Sequence, residues 1–365
     1  MYGFTPTDEQ KMLVDAVSRF AKSDLRAKAH DAEEACNLPP VLISKGWELG
    51  VLQASIPEAY GGFGERSALT GILAAEELAF GDLAGTFAIM VPSLFVMPIL
   101  LCGTDGQKKE FIPPVITGDW AAYTSALIEP YYDFDPNELR SIAIADGEDY
   151  ILNGVKTFVP FAAESKAMVV YARLGNETQG FIIRNGAAGL IINNERQKLL
   201  GVNALPVYEI KLEGVRIPKA DRLGGENGYE FAPILAAHRV ANAAMAVGVA
   251  RAAFEYARDY AKERVAFGVK IAQKQAIAFM LAEMATEIEA SRLLSWEAAW
   301  KLDAGKDDAF MAAYLAATGA ADMVMSVTDR AVQILGGYGY IREYPVEMWT
   351  RNGRGFATFT GMAIV

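Results

Sequence analysis

Hydrophobic residues change their spacing twice along this chain, and that double change restricts its fold more than any single motif does. Through the first third the period is helical. In "DEQKMLVDAVSRFAKSDL", Met12, Leu13, Val17 and Phe20 share one face, and "LTGILAAEELAF" repeats the pattern, with the turn-rich "PEAYGGFGE" between them. Near Trp120 short runs rich in Val, Ile and Tyr take over. They read "YILNGV", "AMVVYARL", "GFIIRN", "GLIINN" and "YEIKLEGVRI", separated by NG, GN and EG turns, as strands are. From Tyr229 the helical spacing returns in "ILAAHRVANAAMAVGVARAAFEYARDYAKER", whose Ala-rich face suits close packing. Two further long helices follow, "IAFMLAEMATEIEASRLLSWEAAWKL" and "AFMAAYLAATGAADMVMSVTDRAVQIL". The spacing predicts an α+β chain, mostly α. Its domains are a helical one over residues 1–118, a β one over 119–226 and a four-helix bundle over 227–365.

The totals exclude several functions. The net charge of −11, from 34 basic and 45 acidic residues with no basic stripe, argues against nucleic-acid binding. Cys36 and Cys102 are far apart with no CxxC, which excludes a disulfide scaffold or Cys-rich zinc site and fits a reducing cytoplasm. His30 and His238 leave almost nothing for a His-based metal site. The polar start "MYGFTPTDEQ" is not a signal peptide. "LAGTFAIMVPSLFVMPILLCGT" is uncharged and nearly long enough to span a bilayer. Pro92 and Pro98 are each expected to break a helix there, so the stretch reads as two buried core helices of a soluble protein. Neither GxGxxG before a helix nor GxxxxGK[ST] occurs, so no Rossmann or P-loop nucleotide site is indicated.

Six stretches carry a resemblance. They are "PEAYGGFG" (57–64), "EELAFG" (76–81), "ILNGVKTF" (151–158), "EGVRIP" (213–218), "YAKERVAFGVKIAQKQ" (260–275) and "DRAVQILGGYGYIREYPVE" (329–347). The last two are long and keep the spacing of the acyl-CoA dehydrogenase family, which the chain resembles over essentially its full length. The resemblance implies a helical domain, a β-barrel-like middle domain and a C-terminal bundle on which tetramers are built. It also implies FAD, acyl-CoA substrates and an acceptor of the electron-transfer flavoprotein kind.

In that family a Glu removes the α-proton of the thioester while the β-hydride leaves for the flavin. Most members carry the Glu in a tail motif Y-E-G-T. Here the tail "GFATFTGMAIV" puts Thr360 at that position. A smaller branch carries it before an Arg early in the first C-terminal helix, and here that pair is His238–Arg239. Thr is no base near pH 7, and a lone His on a packed helix is usually structural. The flavin-ring motif T-E-P-G-A-G-S-D reads "IEPYYDFD", with Ile128, Tyr131, Tyr132, Asp133 and Phe134 at its polar or small positions. Phe158 and Pro160 replace the usual Trp and Thr of K-x-W-I-T, and Met362 and Ile364 stand in the tail's G-T-x-Q. By contrast Arg264, Phe267, Gln275, Gln333, Gly336 and Gly337 match the family's contacts to a neighbouring chain's FAD.

Decay by chance erodes both halves alike. Loss of one with retention of the other suggests a subunit without its own base, donating FAD contacts to a paralogous catalytic subunit in a heterotetramer. The heteromeric enzymes of bacterial steroid side-chain breakdown are organised in this way. Two alternatives stay open. One is a homomeric flavoenzyme with a relocated base, Asp133, Asp135 or His238. The other is a flavin-free CoA-thioester lyase or binding protein.

Overall fold

The computed structural model describes residues 5–365; the first four residues of the start "MYGFTPTDEQ" lie outside the described residues. The first domain is helical, as its spacing predicts. Helix α1 (Asp8–Phe20) opens on a capping box in which Thr7 Oγ1 accepts from Gln10 N at 3.2 Å and Gln10 Oε1 accepts from Thr7 N at 2.9 Å. It runs through a π-turn at Ala21–Leu25 into α2 (Arg26–Glu34), followed by α3 (Pro40–Trp47) and α4 (Ala68–Gly81). Asp82 then caps α5 (Leu83–Met90) by accepting from Gly85 N at 2.7 Å. A break bent by 50° leads into α6 (Ser93–Cys102), with Pro92 at its N-cap. α5 and the first seven residues of α6 are buried, which agrees with the reading as core helices.

Pro98 departs from expectation, because α6 continues through it. A proline there forfeits one backbone bond to the carbonyl four residues back. The burial of Leu94, Phe95, Val96, Met97 and Ile99 around it offsets that loss. Short helices α7 (Asp105–Phe111) and α8 (Pro113–Ile116) close the domain.

Seven strands form the middle sheet: β1 (Thr124–Ala126), β2 (Ile142–Asp146), β3 (Asp149–Pro160), β4 (Ala167–Leu174), β5 (Glu177–Arg184), β6 (Leu190–Ile192) and β7 (Val207–Pro218). Their order is β1-β4-β2-β3-β7-β6, with β5 also on β4. β1 and β2 run parallel to β4, and the other pairs are antiparallel. Leu152, Val170, Phe181 and Ile210 build a separate apolar core for this sheet.

Helix α9 (Ala232–Glu263) is the axis of the C-terminal region, packed against α4, α10 (Gln275–Asp303) and α11 (Ala309–Leu335). A small hairpin, β8 (Val265–Ala266) and β9 (Val269–Lys270), joins α9 to α10, and α12 (Pro345–Arg354) precedes the tail. Small residues let α9 approach α4 closely: a Cβ on Gly248 would lie 2.3 Å from Glu76 O. Gly248→Ala is therefore expected to cost about 1–3 kcal/mol by overpacking, read as a lower urea midpoint at unchanged m.

By length and composition alone, Ala232–Glu263 and Ala309–Tyr340 are each apolar enough to cross a membrane. The apolar window of the first is 83% buried inside the protein, that of the second only 33%. The second leaves Phe310, Met311, Tyr314 and Leu315 exposed in one row of turns.

Candidate functional site

The family-like residues at the end of α9 build an open site. Arg264 is the C-cap of α9, in extended conformation, and its N–H donates to Tyr260 O at 2.8 Å. Its carbonyl accepts from Ile271 N at 2.9 Å, closing the β8–β9 hairpin on itself. Phe267 (φ +54°) and Gly268 (φ +80°) make the hairpin tip, and the Phe267 ring projects into solvent. α11 stops where Gly336 takes φ +59° and ψ −129°, a combination that only glycine adopts readily. Nothing lies within 4 Å of where a Cβ on Gly336 or Gly337 would stand. Between these two helix ends lies a cavity of about 390 Å³, lined by Tyr260, Arg264, Ile271, Gly336, Gly337 and Tyr338 among others. The Arg264 guanidinium sits 5.4 Å from the Tyr338 ring centroid. Among the described residues no carboxylate forms an ion pair with it.

The structure thus brings together Arg264, Gly336 and Gly337 of the six residues singled out. Phe267, Gln275 and Gln333 stand exposed outside the lining. Tyr260, Ile271 and Tyr338 were not anticipated; the aromatic pattern of "GGYGY" was the available signal for the last of them. An unpaired guanidinium beside open backbone suits a diphosphate.

Several of the flavin-ring positions are different: Ile128, Phe134, Phe158, Pro160, Met362 and Ile364 pack against the chain's own core. Ile128 is buried after β1, and Glu129 beside it accepts from Arg140 N (2.7 Å), Ser141 N (2.8 Å) and Lys156 Nζ (2.9 Å). Burial works to raise the Glu129 pKa, but Lys156 and the two amides outweigh it and hold the carboxyl below its ordinary range. Burial pushes the Lys156 ammonium down to about 8 against the attraction of Glu129. On β3, Phe158 (φ +53°) and, just beyond it, Phe161 (φ +52°) both occupy the left-handed region. Phe158 N donates to Gln197 Oε1 at 2.9 Å, which fixes the bulge there. Phe134 and Phe158 rest on the main core, and Pro160 is buried.

The tail closes this side. Asn242 Nδ2 donates to Phe356 O at 2.9 Å, and His238 Nδ1 donates to Ala363 O at 2.6 Å. The Phe359 ring meets Phe87 edge-on at 5.5 Å. A Cβ on Gly361 (φ +115°) would press Ile128 and Leu127 at 3.2–3.3 Å. Met362, Ala363 and Ile364 are buried, and Thr360 is half-buried.

The tyrosines of "IEPYYDFD" do not fill a pocket. Tyr132 is fully exposed, and Tyr131 lies under the Arg140 guanidinium at 4.1 Å because that cation is held by Asp133 at 2.6 Å. The candidate bases separate accordingly. Asp133 is exposed and ion-paired, and exposed Asp135 accepts from Asn137 N at 2.8 Å; neither is desolvated. His238 is fully buried, and burial pushes its pKa down to about 4. With Nδ1 donating to a carbonyl the ring is neutral and its lone pair is on Nε2, which has no partner among the described residues.

A second cavity, of about 330 Å³, lies among α1, α4, α9 and α10. Its central charges are paired: Arg251 and Arg292 both reach Glu76 (2.9 and 3.0 Å), and Arg251 also reaches Glu77 (2.6 Å). It ties helices together. No group of three or more His, Cys, Asp or Glu among the described residues is placed to hold a metal.

Comparison with known proteins places this geometry. Residues 7–119, 124–215 and 231–363 match the N-terminal, middle and C-terminal domains of acyl-CoA dehydrogenases. The chain is 34% identical to the 3-(aryl)acrylate reductase of Clostridium sporogenes, over 98% of this chain and 96% of the reductase. It is also 34% identical to the caffeyl-CoA reductase-Etf complex subunit CarC of Acetobacterium woodii, with the same coverage. The butyryl-CoA dehydrogenase structure from Megasphaera elsdenii superposes with a TM-score of 0.89 at 31% identity, covering 99% of this chain and 96% of that one.

Proposed function

The chain belongs to the acyl-CoA dehydrogenase family, and from that premise we propose that it serves as the subunit without a base of its own. In this reading it forms a cytoplasmic heterotetramer with a paralogous catalytic subunit and lends contacts to that subunit's FAD. Residues 1–118, 119–226 and 227–365 are its three domains, and the apolar face of α11 lies at the subunit contact. The reaction is an oxidation, or its reverse, at a CH–CH bond of an acyl-CoA thioester. Bound flavin supplies the two-electron acceptor or donor for it. An acceptor of the electron-transfer flavoprotein kind fits, since one similar protein is named as a subunit of an Etf complex.

One observation carries the reading: the cavity at Arg264 and Gly336 is open and its cation unpaired, while Ile128, Pro160, Met362 and Ile364, at ring-side positions of the same chain, are buried. The chain's own residues divide along that line. Arg264 offers in-plane donors to a diphosphate, and Gly336 and Gly337 let it approach the backbone. Thr360 cannot take up the thioester's α-proton near neutrality.

A second reading, a homomeric flavoenzyme, has one observation in its favour. His238 stands buried beside the tail with Nε2 free. A ring whose pKa is depressed to about 4 is a weak base, so this reading ranks second.

Purified alone, the chain is expected to carry little flavin and oxidise no simple acyl-CoA; co-expressed with its partner it gives one flavin per two chains. In that complex Arg264→Ala weakens flavin binding by about 1.5–3 kcal/mol, roughly ten- to 150-fold, while Thr360→Val leaves turnover unchanged. A yellow homomer bleached by an acyl-CoA would defeat the first reading. So would turnover that depends on Thr360 and is indifferent to Arg264. Light scattering is expected to give a tetramer of the two chains, and a monodisperse monomer in the partner's presence would count against the assembly.

A further inference from the structure

We infer that Tyr338 is the positioning residue for Arg264, holding its guanidinium over a diphosphate subsite that this chain presents by itself. The inference deepens the reading of the cavity given above and rests on it. Three features lead to it. Arg264 is exposed, and no carboxylate among the described residues restrains it, so a bare side chain there samples many rotamers. The Tyr338 ring supplies the missing restraint, 5.4 Å from the guanidinium carbon. The ring is itself fixed, because it belongs to the 3₁₀ segment Gly336–Tyr340 and packs on Tyr344 at 5.2 Å with a 43° tilt.

The geometry of the restraint matters for what binds. A carboxylate partner would consume N–H donors and cancel the charge. The Tyr338 ring does neither, so the five guanidinium donors stay free for two phosphate groups. The floor left open by Gly336 and Gly337 gives those phosphates room. Ile271, Ile334 and Ile341 add an apolar wall to the 390 Å³ cavity, enough for the base of a nucleoside diphosphate.

The test is titration of the purified full chain with ADP, with adenosine as the control, by calorimetry. ADP is expected to bind measurably tighter than adenosine. Tyr338→Leu is expected to weaken ADP binding roughly three- to ten-fold, while Tyr338→Phe, which keeps the ring, matches the wild type. In an Arg264→Ala background the Tyr338→Leu change is expected to cost nothing further, a coupling that a merely structural role would not produce. The inference is overturned if Tyr338→Leu binds ADP like wild type while Arg264→Ala does not, or if its loss persists undiminished without Arg264. If the wild type binds no ADP, or Arg264→Ala changes nothing, the diphosphate reading of the cavity goes as well.

Discussion

Replacing Lys156 by methionine is expected to lower stability by about 3–5 kcal/mol, more than any substitution at the open cavity would. Lys156 is fully buried and Glu129 almost so, and their 2.9 Å contact joins β3 to the loop that follows β1. Lys156 Nζ also donates to Leu127 O at 3.2 Å. Methionine keeps the volume but removes the cation, so Glu129 would be left charged in the interior with only the Arg140 and Ser141 amides. A lone buried carboxylate is far worse than no carboxylate. The double variant Lys156→Met with Glu129→Gln is therefore expected to recover part of the loss, since glutamine removes the charge but offers only one oxygen to the two amides. Urea midpoints of the three proteins measure this. A single-variant loss below about 1 kcal/mol would mean that water reaches the pair and screens it.

That pair also shows what sequence reading could and could not see. Its two residues lie 27 positions apart, each within a recognised motif, and nothing local says that they meet. By contrast the helical, β and helical order was legible, because periods of 3.6 and 2 follow from backbone geometry and survive in the hydrophobic pattern. Pro98 misled because a breaker's local cost was weighed without the burial that surrounds it. The bulk of Tyr131 and Tyr132 did not say where their rings would go; Asp133 and Arg140 draw the loop outward. At the open cavity, motif spacing identified the glycines and the guanidinium. Tyr338, which faces that guanidinium, required the fold, since 74 positions separate the two in sequence and only the meeting of the α9 and α11 ends brings them together.

Acid should destabilise the protein through His238, and His238→Gln should isolate the effect. The folded imidazole, pushed to about 4 by burial, stays neutral while the unfolded one titrates near 6.5. Above pH 6.5 both states are neutral and the ring contributes no pH dependence. As pH falls from 6.5 the unfolded chain takes up the proton first, so stability drops, until the folded ring titrates near 4. The 2.5-unit difference is worth about 3 kcal/mol in all, of which about 2 is already lost at pH 5. The wild-type profile alone will hide this. Asp82, raised to about 7 by burial at the cap of α5, contributes in the opposite sense, its stability fully present below its unfolded value and lost as pH rises through 7. The two windows overlap, so the quantity to measure is the difference between wild type and His238→Gln in urea unfolding at pH 7.5 and pH 5. Glutamine retains an N–H for the Ala363 carbonyl and carries no titratable group. The difference should shift in the variant's favour by about 2 kcal/mol between those two pH values. A difference independent of pH would mean that His238 Nε2 meets solvent or a second acceptor in the folded protein, and would return the residue to candidacy as a base.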